Sequence, residues 1–447
     1  MRYLHSFSSD MNTPALVKER LLWCIYLGIT FFLLYGAANH YAALTAPHPA
    51  IYMEWEHNIP FIALFIIPYM ASDLMFILAF SLKQSRLELR ILAARVLFII
   101  VVSVLCFILL PLQFAFTKPP IQEYALLFNL LQADLPYNQL PSLHVSFAII
   151  LYSSMSRHTP SKFIKSLLAV SFILIIISTL LVYQHHFWDI PTGALVGFGA
   201  IYLIRHNPNS TIVRCFSTPR HLKMALYYLV ATIILLVLAF NFKILAPIWL
   251  YLAMCTLAVS IVYAFGFNQA LVNKRDKPSI LQWLVFLPYF IGTYFNWRLY
   301  QNLPILKPLV SNIYIGRQPS THEYNALTQA GIKHIINLAP EQVFQKTHLT
   351  QTRLALLDLT IPAPERIHQA VLALEHSKQE LTYLHCALGL ARTGIIAGAY
   401  LIYQGYPRDE LEALIQAAQP RFKAKPYTQV AWDLYEDYLK DNAKIKT

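Results

Sequence analysis

The chain has 447 residues, of which 57% are hydrophobic and only 13% charged, with a formal net charge of +12. Soluble domains carry about one-quarter charged residues, so an ordinary soluble globular protein is excluded. The basic residues are spread through short loops between apolar runs, which points to membrane topology and anionic lipid and away from a nucleic-acid partner.

The first twenty residues are polar, and the first apolar run lacks a small-residue cleavage site. It is therefore expected as a retained helix, not a cleaved leader. Apolar runs near 21–43, 59–82, 91–113, 140–156, 163–183, 187–204, 224–242 and 246–265 predict eight membrane helices. The even-numbered loops are basic: Arg2, Lys18 and Arg20 mark the N-terminus, and Lys83, Arg86 and Arg90 the second loop. Arg157, Lys162 and Lys165 mark the fourth, Arg205, Arg214, Arg220 and Lys223 the sixth, and Lys274, Arg275 and Lys277 the eighth. The positive-inside rule puts these loops in the cytoplasm and the odd loops outside. The run 281–297 is ambiguous: its aromatic residues and central Pro288 suit an interfacial element, its length a ninth span.

After about residue 305 the texture changes. NIYIGR (312–317), IKHIINL (332–338), LALLDLT (354–360) and LTYLHC (381–386) read as strands, and 364–379 and 392–403 as helices. The predicted architecture is an all-α polytopic helix bundle followed by an α/β domain of about 140 residues. Its divisions are 1–205, a six-helix membrane domain; 206–304, further helices and an interfacial linker; and 305–447, the α/β domain.

Two histidine motifs lie in the helical half. Pro141-Ser142-Leu143-His144 opens the fourth helix, and His185-His186-Phe187-Trp188-Asp189 joins the fifth to the sixth. Both fall at the outer membrane face, where convergent polar groups imply function. The four-residue spacing lets Asp189 accept the ring N–H of His185, His185 attack phosphorus, and His144 protonate the leaving alkoxide. His186 competes with His185 for the nucleophile's role. Asp73, inside the second helix, faces either the same cavity or a neighbouring helix.

The soluble half carries His385-Cys386-Ala387-Leu388-Gly389-Leu390-Ala391-Arg392-Thr393 between a strand and a helix. Backbone N–H groups of Ala387, Leu388, Gly389, Leu390 and Ala391 at a helix N-terminus can cradle a phosphate, and the same field favours the Cys386 thiolate as nucleophile. The Arg392 fork can hold two phosphate oxygens. Gly389 permits close backbone approach, and Thr393 can hydrogen-bond the thiolate. The five cysteines, Cys24, Cys106, Cys215, Cys255 and Cys386, show no CxxC pair or zinc spacing. Neither site calls for a metal or a cofactor.

The Cys386–Thr393 segment resembles the Cys-x5-Arg phosphate loop of the dual-specificity branch of protein tyrosine phosphatases, over about 305–447. The resemblance implies an upstream aspartate as general acid. Asp358 matches by spacing, with a turn cap as its rival role, and Glu341 and Glu365 match less well. Family members act on phosphoproteins and on phosphorylated lipids. The histidine motifs resemble the type 2 phosphatidic acid phosphatase superfamily, over roughly 55–205, with a spelling like the inositol-phosphoceramide-synthase branch. That resemblance implies His185 as nucleophile, Asp189 as its orienter, His144 as acid and Ser142 as a phosphate contact. The superfamily's first basic motif is reduced to Lys118-Pro119, and the Ser-Arg expected before the nucleophile is Ser178-Thr179.

Three functions follow as expectations. One is a bifunctional lipid phosphatase. The second is an outer head-group phosphotransferase joined to a protein phosphatase. The third is a protein phosphatase anchored by an inactive helical scaffold. The implied partners are membrane lipids and phosphoproteins, and the implied location is a bacterial inner membrane with the C-terminal domain in the cytoplasm.

Overall fold

A computed structural model describes residues 13–121, 123–131, 134–206, 217–268, 270–271, 278–339, 341 and 349–444. Cys215, Arg2, Arg214, Lys274, Arg275 and Lys277 lie outside the described residues. The chain divides into two units, Phe7–Arg214 and Cys215–Thr447.

Each apolar run folds as a helix. In the first unit these are α1 (Val17–Thr45), α2 (Ile66–Ser81), α3 (Arg86–Leu109), the short α4 (Ala125–Leu131), α5 (Leu143–Arg157), α6 (Lys162–Leu181) and α7 (Asp189–Leu203). Ser85 starts α3 with a reciprocal cap: its Oγ accepts from Glu88 N at 3.3 Å, and the Glu88 carboxylate accepts from Ser85 N at 2.9 Å. Helices α5 and α7 approach closely because Gly193 and Gly197 have no Cβ. An added Cβ would lie 2.5 Å from the Ser142 carbonyl oxygen at Gly193 and 3.0 Å from that of Ser146 at Gly197. Ser146 Oγ donates across this seam to the Gly193 carbonyl at 2.8 Å. Arg95 closes the other end of α7, donating to the Ile204 carbonyl at 3.1 and 2.9 Å. The glycine seam therefore sets where Ser142 and His144 stand against the start of α7.

The second unit begins with α8 (Pro219–Asn241), α9 (Ala246–Phe265) and α10 (Ile280–Leu299). α8 and α9 form a hairpin whose interior polar groups pair with each other: Ser260 Oγ donates to the Ala225 carbonyl at 2.8 Å, and Thr232 and Thr256 meet at 3.0 Å. Among the described residues six helices are long and apolar enough to cross a membrane: Val17–Thr45, Ala63–Ser81, Arg86–Leu109, Lys162–Leu181, Pro219–Asn241 and Ala246–Phe265. The run 281–297 lies in α10, with Pro288 in its interior, and α10 is not one of the six.

The α/β part comprises β1 (Lys307–Val310), β2 (Ile313–Arg317), α11 (Thr321–Gln329), β3 (His334–Asn337), β4 (Thr350–Arg353), α12 (Pro364–Ser377), β5 (Thr382–Cys386), α13 (Ala391–Tyr403), α14 (Leu411–Ala418) and α15 (Pro426–Lys444). The sheet order is β1-β2-β5-β3-β4, antiparallel between β1 and β2 and parallel elsewhere. The buried faces of β2, β3 and β5 pack against α12, α13 and α15 through Ile315, Ile336, Leu384, Val371, Ile396 and Trp432.

One predicted strand is corrected. Residues 354–360 form an irregular loop, and the strand is the preceding β4. Leu359 takes φ +55°, outside the extended region that a strand requires. The edge strand β1 is an addition to the expectation.

Candidate functional sites

Strand β5 carries Cys386 to the centre of the sheet's C-terminal edge, between β2 and β3. The chain then turns through 387–390 and enters α13, with Arg392 in its first turn. The turn needs glycine at 389, where φ is +69° and an added Cβ would sit 2.3 Å from the Gly316 carbonyl carbon and 2.6 Å from Arg317 N. The Ala387 carbonyl accepts from Gln318 N at 3.1 Å, which pins the loop to the end of β2.

Cys386 and Arg392 are each 2% exposed. Arg392 Nη1 donates to Glu341 Oε2 at 3.0 Å and Nη2 to Oε1 at 2.5 Å, and Nη1 also donates to the Leu356 carbonyl at 3.2 Å. Its Nε lies 3.2 Å from Asp358 Oδ1. Burial works against the guanidinium's charge, but Asp358, Glu341 and Cys386 outweigh it and hold the group charged. The outer pair of the fork is thus occupied by Glu341, and the edge available to a phosphate is the Nε side, where Asp358 now stands. The sequence reading ranked Glu341 below Asp358 as an acid. The structure gives it a different place, as the buried bidentate partner of Arg392. The signal was an acid four residues beyond β3.

Asp358 is half-exposed on the 354–360 loop, beside the loop of Cys386. Thr393 Oγ1 is buried, with no hydrogen-bond partner among the described residues. His385 is fully buried, and burial pushes it down to about 4, so it is neutral near pH 7. Glu365 lies in the first turn of α12.

In the first unit the two histidine motifs meet. The rings of His144 and His185 are 6.1 Å apart, and Tyr69 packs on His144 at 4.2 Å. His185 Nδ1 is 3.0 Å from Asp189 Oδ2, the geometry of a ring N–H donating to a carboxylate. His186 has both ring nitrogens engaged. Its Nδ1 donates to Glu56 at 3.0 Å, its Nε2 accepts from Ala115 N at 3.1 Å, and Phe114 stacks on it at 4.3 Å. Glu56 was not singled out by sequence, because its partner lies 130 residues away. Ser142 is buried, its Oγ has no hydrogen-bond partner among the described residues, and its N donates to the Asp189 carbonyl at 3.0 Å.

A cavity of about 700 Å³ opens on His144 and His185. Its lining includes the apolar Phe31, Phe76 and Phe172 and the acids Asp73 and Asp134. Asp73 therefore faces the cavity. Asp134 accepts from Tyr35 Oη at 2.7 Å and Asn39 Nδ2 at 2.8 Å. Among the described residues that line the cavity there is no Lys or Arg. Lys118 is exposed and is not among the described residues that line it.

A family model described as "Polymorphic toxin system, DSP-PTPase phosphatase" matches residues 311–406. Solved structures similar to the C-terminal region include human DUSP28, with 17% identity over 31% of this chain and 99% of that one and a TM-score of 0.29. PTPMT1 shares 19% identity over 31% of this chain and 98% of its own, with a TM-score of 0.28. Tk-PTP in its active form shares 17% over 30% and 97%, also with a TM-score of 0.28.

Proposed function

We propose that this chain, whose C-terminal domain is a phosphatase of the dual-specificity type, is a membrane-bound hydrolase of lipid phosphate monoesters with a second, histidine-dependent site in its helical first unit. The observation that carries the first part is the placement of Cys386 and Arg392 on one glycine-pinned turn, with Asp358 on the facing loop. Cys386 Sγ attacks phosphorus, and the bond to the leaving oxygen breaks as Asp358 protonates it. The N–H groups of 387–391 and the Nε edge of Arg392 hold the phosphoryl oxygens, and Glu341 fixes the guanidinium plane. Water then attacks the thiophosphate. Asp358 takes its proton, Cys386 leaves as thiolate, and the Thr393 hydroxyl stands by to accept the role of donor to that sulfur.

A lipid substrate is supported by the surroundings of Asp358: Arg220, in the first turn of a helix of membrane-spanning length, donates to the carbonyl of the adjacent Leu359 at 2.9 Å. The proposed topology has eight spans, with α10 at the interface, the C-terminal domain inside and the histidine site outside. The proposed divisions remain 1–205, 206–304 and 305–447.

For the histidine site, the cavity's two carboxylates and lack of Lys or Arg favour a phosphodiester and an alcohol acceptor over a dianionic monoester. His185 would take the phosphoryl group, with Asp189 orienting it, Ser142 contacting the phosphate, and His144 protonating the departing alkoxide and then activating the acceptor. The full chain in detergent should be assayed on phosphatidic acid, phosphatidylglycerophosphate, phosphoinositides and phosphotyrosine peptide. Cys386→Ser should abolish monoester hydrolysis. A Cys386→Ser protein that still hydrolyses all four, or a wild type active on the peptide alone, would overturn the lipid reading. A new phosphodiester formed on adding a polyol or amino alcohol, with no free phosphate, would establish the transfer reaction.

A further inference from the structure

The helices preceding the phosphatase domain reach both sides of its acid loop. Arg220, in the first turn of α8, donates from Nε to the carbonyl of Leu359 at 2.9 Å. Asn268, just past the end of α9, accepts from Leu357 N through Oδ1 at 3.4 Å. These are the two residues flanking Asp358. Arg220 is itself braced, its guanidinium lying 4.8 Å above the ring of Tyr427. Tyr427 in turn stands within the fields of Asp358, Cys386 and Arg392. Leu359 has φ +55°, an αL conformation that is strained for a non-glycine residue and persists only where its surroundings hold it. From the domain's own side the loop is tied by the Leu356 carbonyl to Arg392 and by Thr360 Oγ1 to the Leu357 carbonyl at 2.9 Å.

We propose that Arg220 and Asn268 are positioning residues of the phosphatase, holding the 356–360 loop so that Asp358 points its proton at the leaving oxygen. The proposal rests on the reading of Asp358 as the general acid. The chemical consequence is selective. Protonation matters when the leaving group is a poor one, such as an alkoxide or phenolate, and hardly matters for dinitrophenolate, which departs as an anion. Formation of the Sγ–P bond and Arg392 binding do not depend on the clamp.

The test uses the full chain in detergent with phenyl phosphate and 2,4-dinitrophenyl phosphate. A complete general acid contributes about 10²–10⁴ in rate, and loosening its loop should forfeit part of that. Arg220→Ala with Asn268→Ala should slow phenyl phosphate about tenfold or more and dinitrophenyl phosphate less than about twofold. Arg220→Lys, which keeps a donor, should recover part of the loss. Adding the pair to Asp358→Asn should cost nothing further. Equal losses on both substrates, or an unchanged ratio, would overturn the clamp, provided that Asp358→Asn alone changes the ratio. If Asp358→Asn leaves the ratio unchanged, the acid assignment falls and the clamp falls with it.

Discussion

Replacing Glu341 with Gln isolates the contact that orients the phosphate-loop arginine. Glu341 and Arg392 are 1% and 2% exposed and joined by two hydrogen bonds of 3.0 and 2.5 Å. Removing one partner of a buried ion pair costs about 3–5 kcal/mol, because the other charge is left uncompensated. Here Asp358 remains 3.2 Å from Nε and Leu356 still accepts from Nη1, which puts the expected loss at the low end, about 3 kcal/mol. Glutamine keeps one acceptor but turns an NH₂ toward the guanidinium, so one buried donor goes unpaired. The arginine should then tilt toward Asp358. A displacement of about 1 Å at a positioning group costs about 10²-fold, so kcat/KM should fall by that order. The assays are p-nitrophenyl phosphate hydrolysis and intrinsic-fluorescence unfolding in urea, both on the full chain in one detergent, with Cys386→Ser as the inactive but folded reference. Glu341→Gln within about twofold of wild type in kcat/KM, and unchanged in its urea midpoint, would refute the claim that this pair orients Arg392.

Gly389→Ala should abolish turnover, because φ +69° costs an alanine roughly 1–2 kcal/mol and its Cβ would press on backbone atoms of Gly316 and Arg317, which cannot rotate away; binding of the phosphate mimic vanadate, followed by inhibition or calorimetry, should be lost with it. His385 is held neutral, at about 4 against an ordinary 6.5. The unfolded chain therefore binds the extra proton between these values, and stability should drop by about 3 kcal/mol as pH falls from 6.5 to 4. His385→Asn should flatten that limb of the urea midpoint against pH, and an equally steep limb would count against it. In the first unit, His185→Ala should remove the activity that survives Cys386→Ser. His186→Ala should instead lower thermal stability, since both of its ring nitrogens are engaged; a His186→Ala protein as stable as wild type yet inactive would reverse the two roles.

The legible features were those carried by local pattern. Eight apolar runs became helices because chain hydrophobicity is a property of consecutive residues. The Cys386–Thr393 loop could be placed between strand and helix because eight adjacent residues contain both its chemistry and its turn. The pairing of His185 with Asp189 followed from a four-residue spacing, and the structure has them 3.0 Å apart. What the sequence could not reveal depends on residues far apart along the chain. Glu341 meets Arg392 across 51 positions, His186 is claimed by Glu56 across 130, and Arg220 reaches Leu359 across 139. No periodicity encodes such contacts, because they are set by how helices and sheet pack. The 354–360 segment failed for the same reason. Its short apolar run reads as a strand, but the chain bends at Leu359, and the loop there holds Asp358 3.2 Å from the arginine.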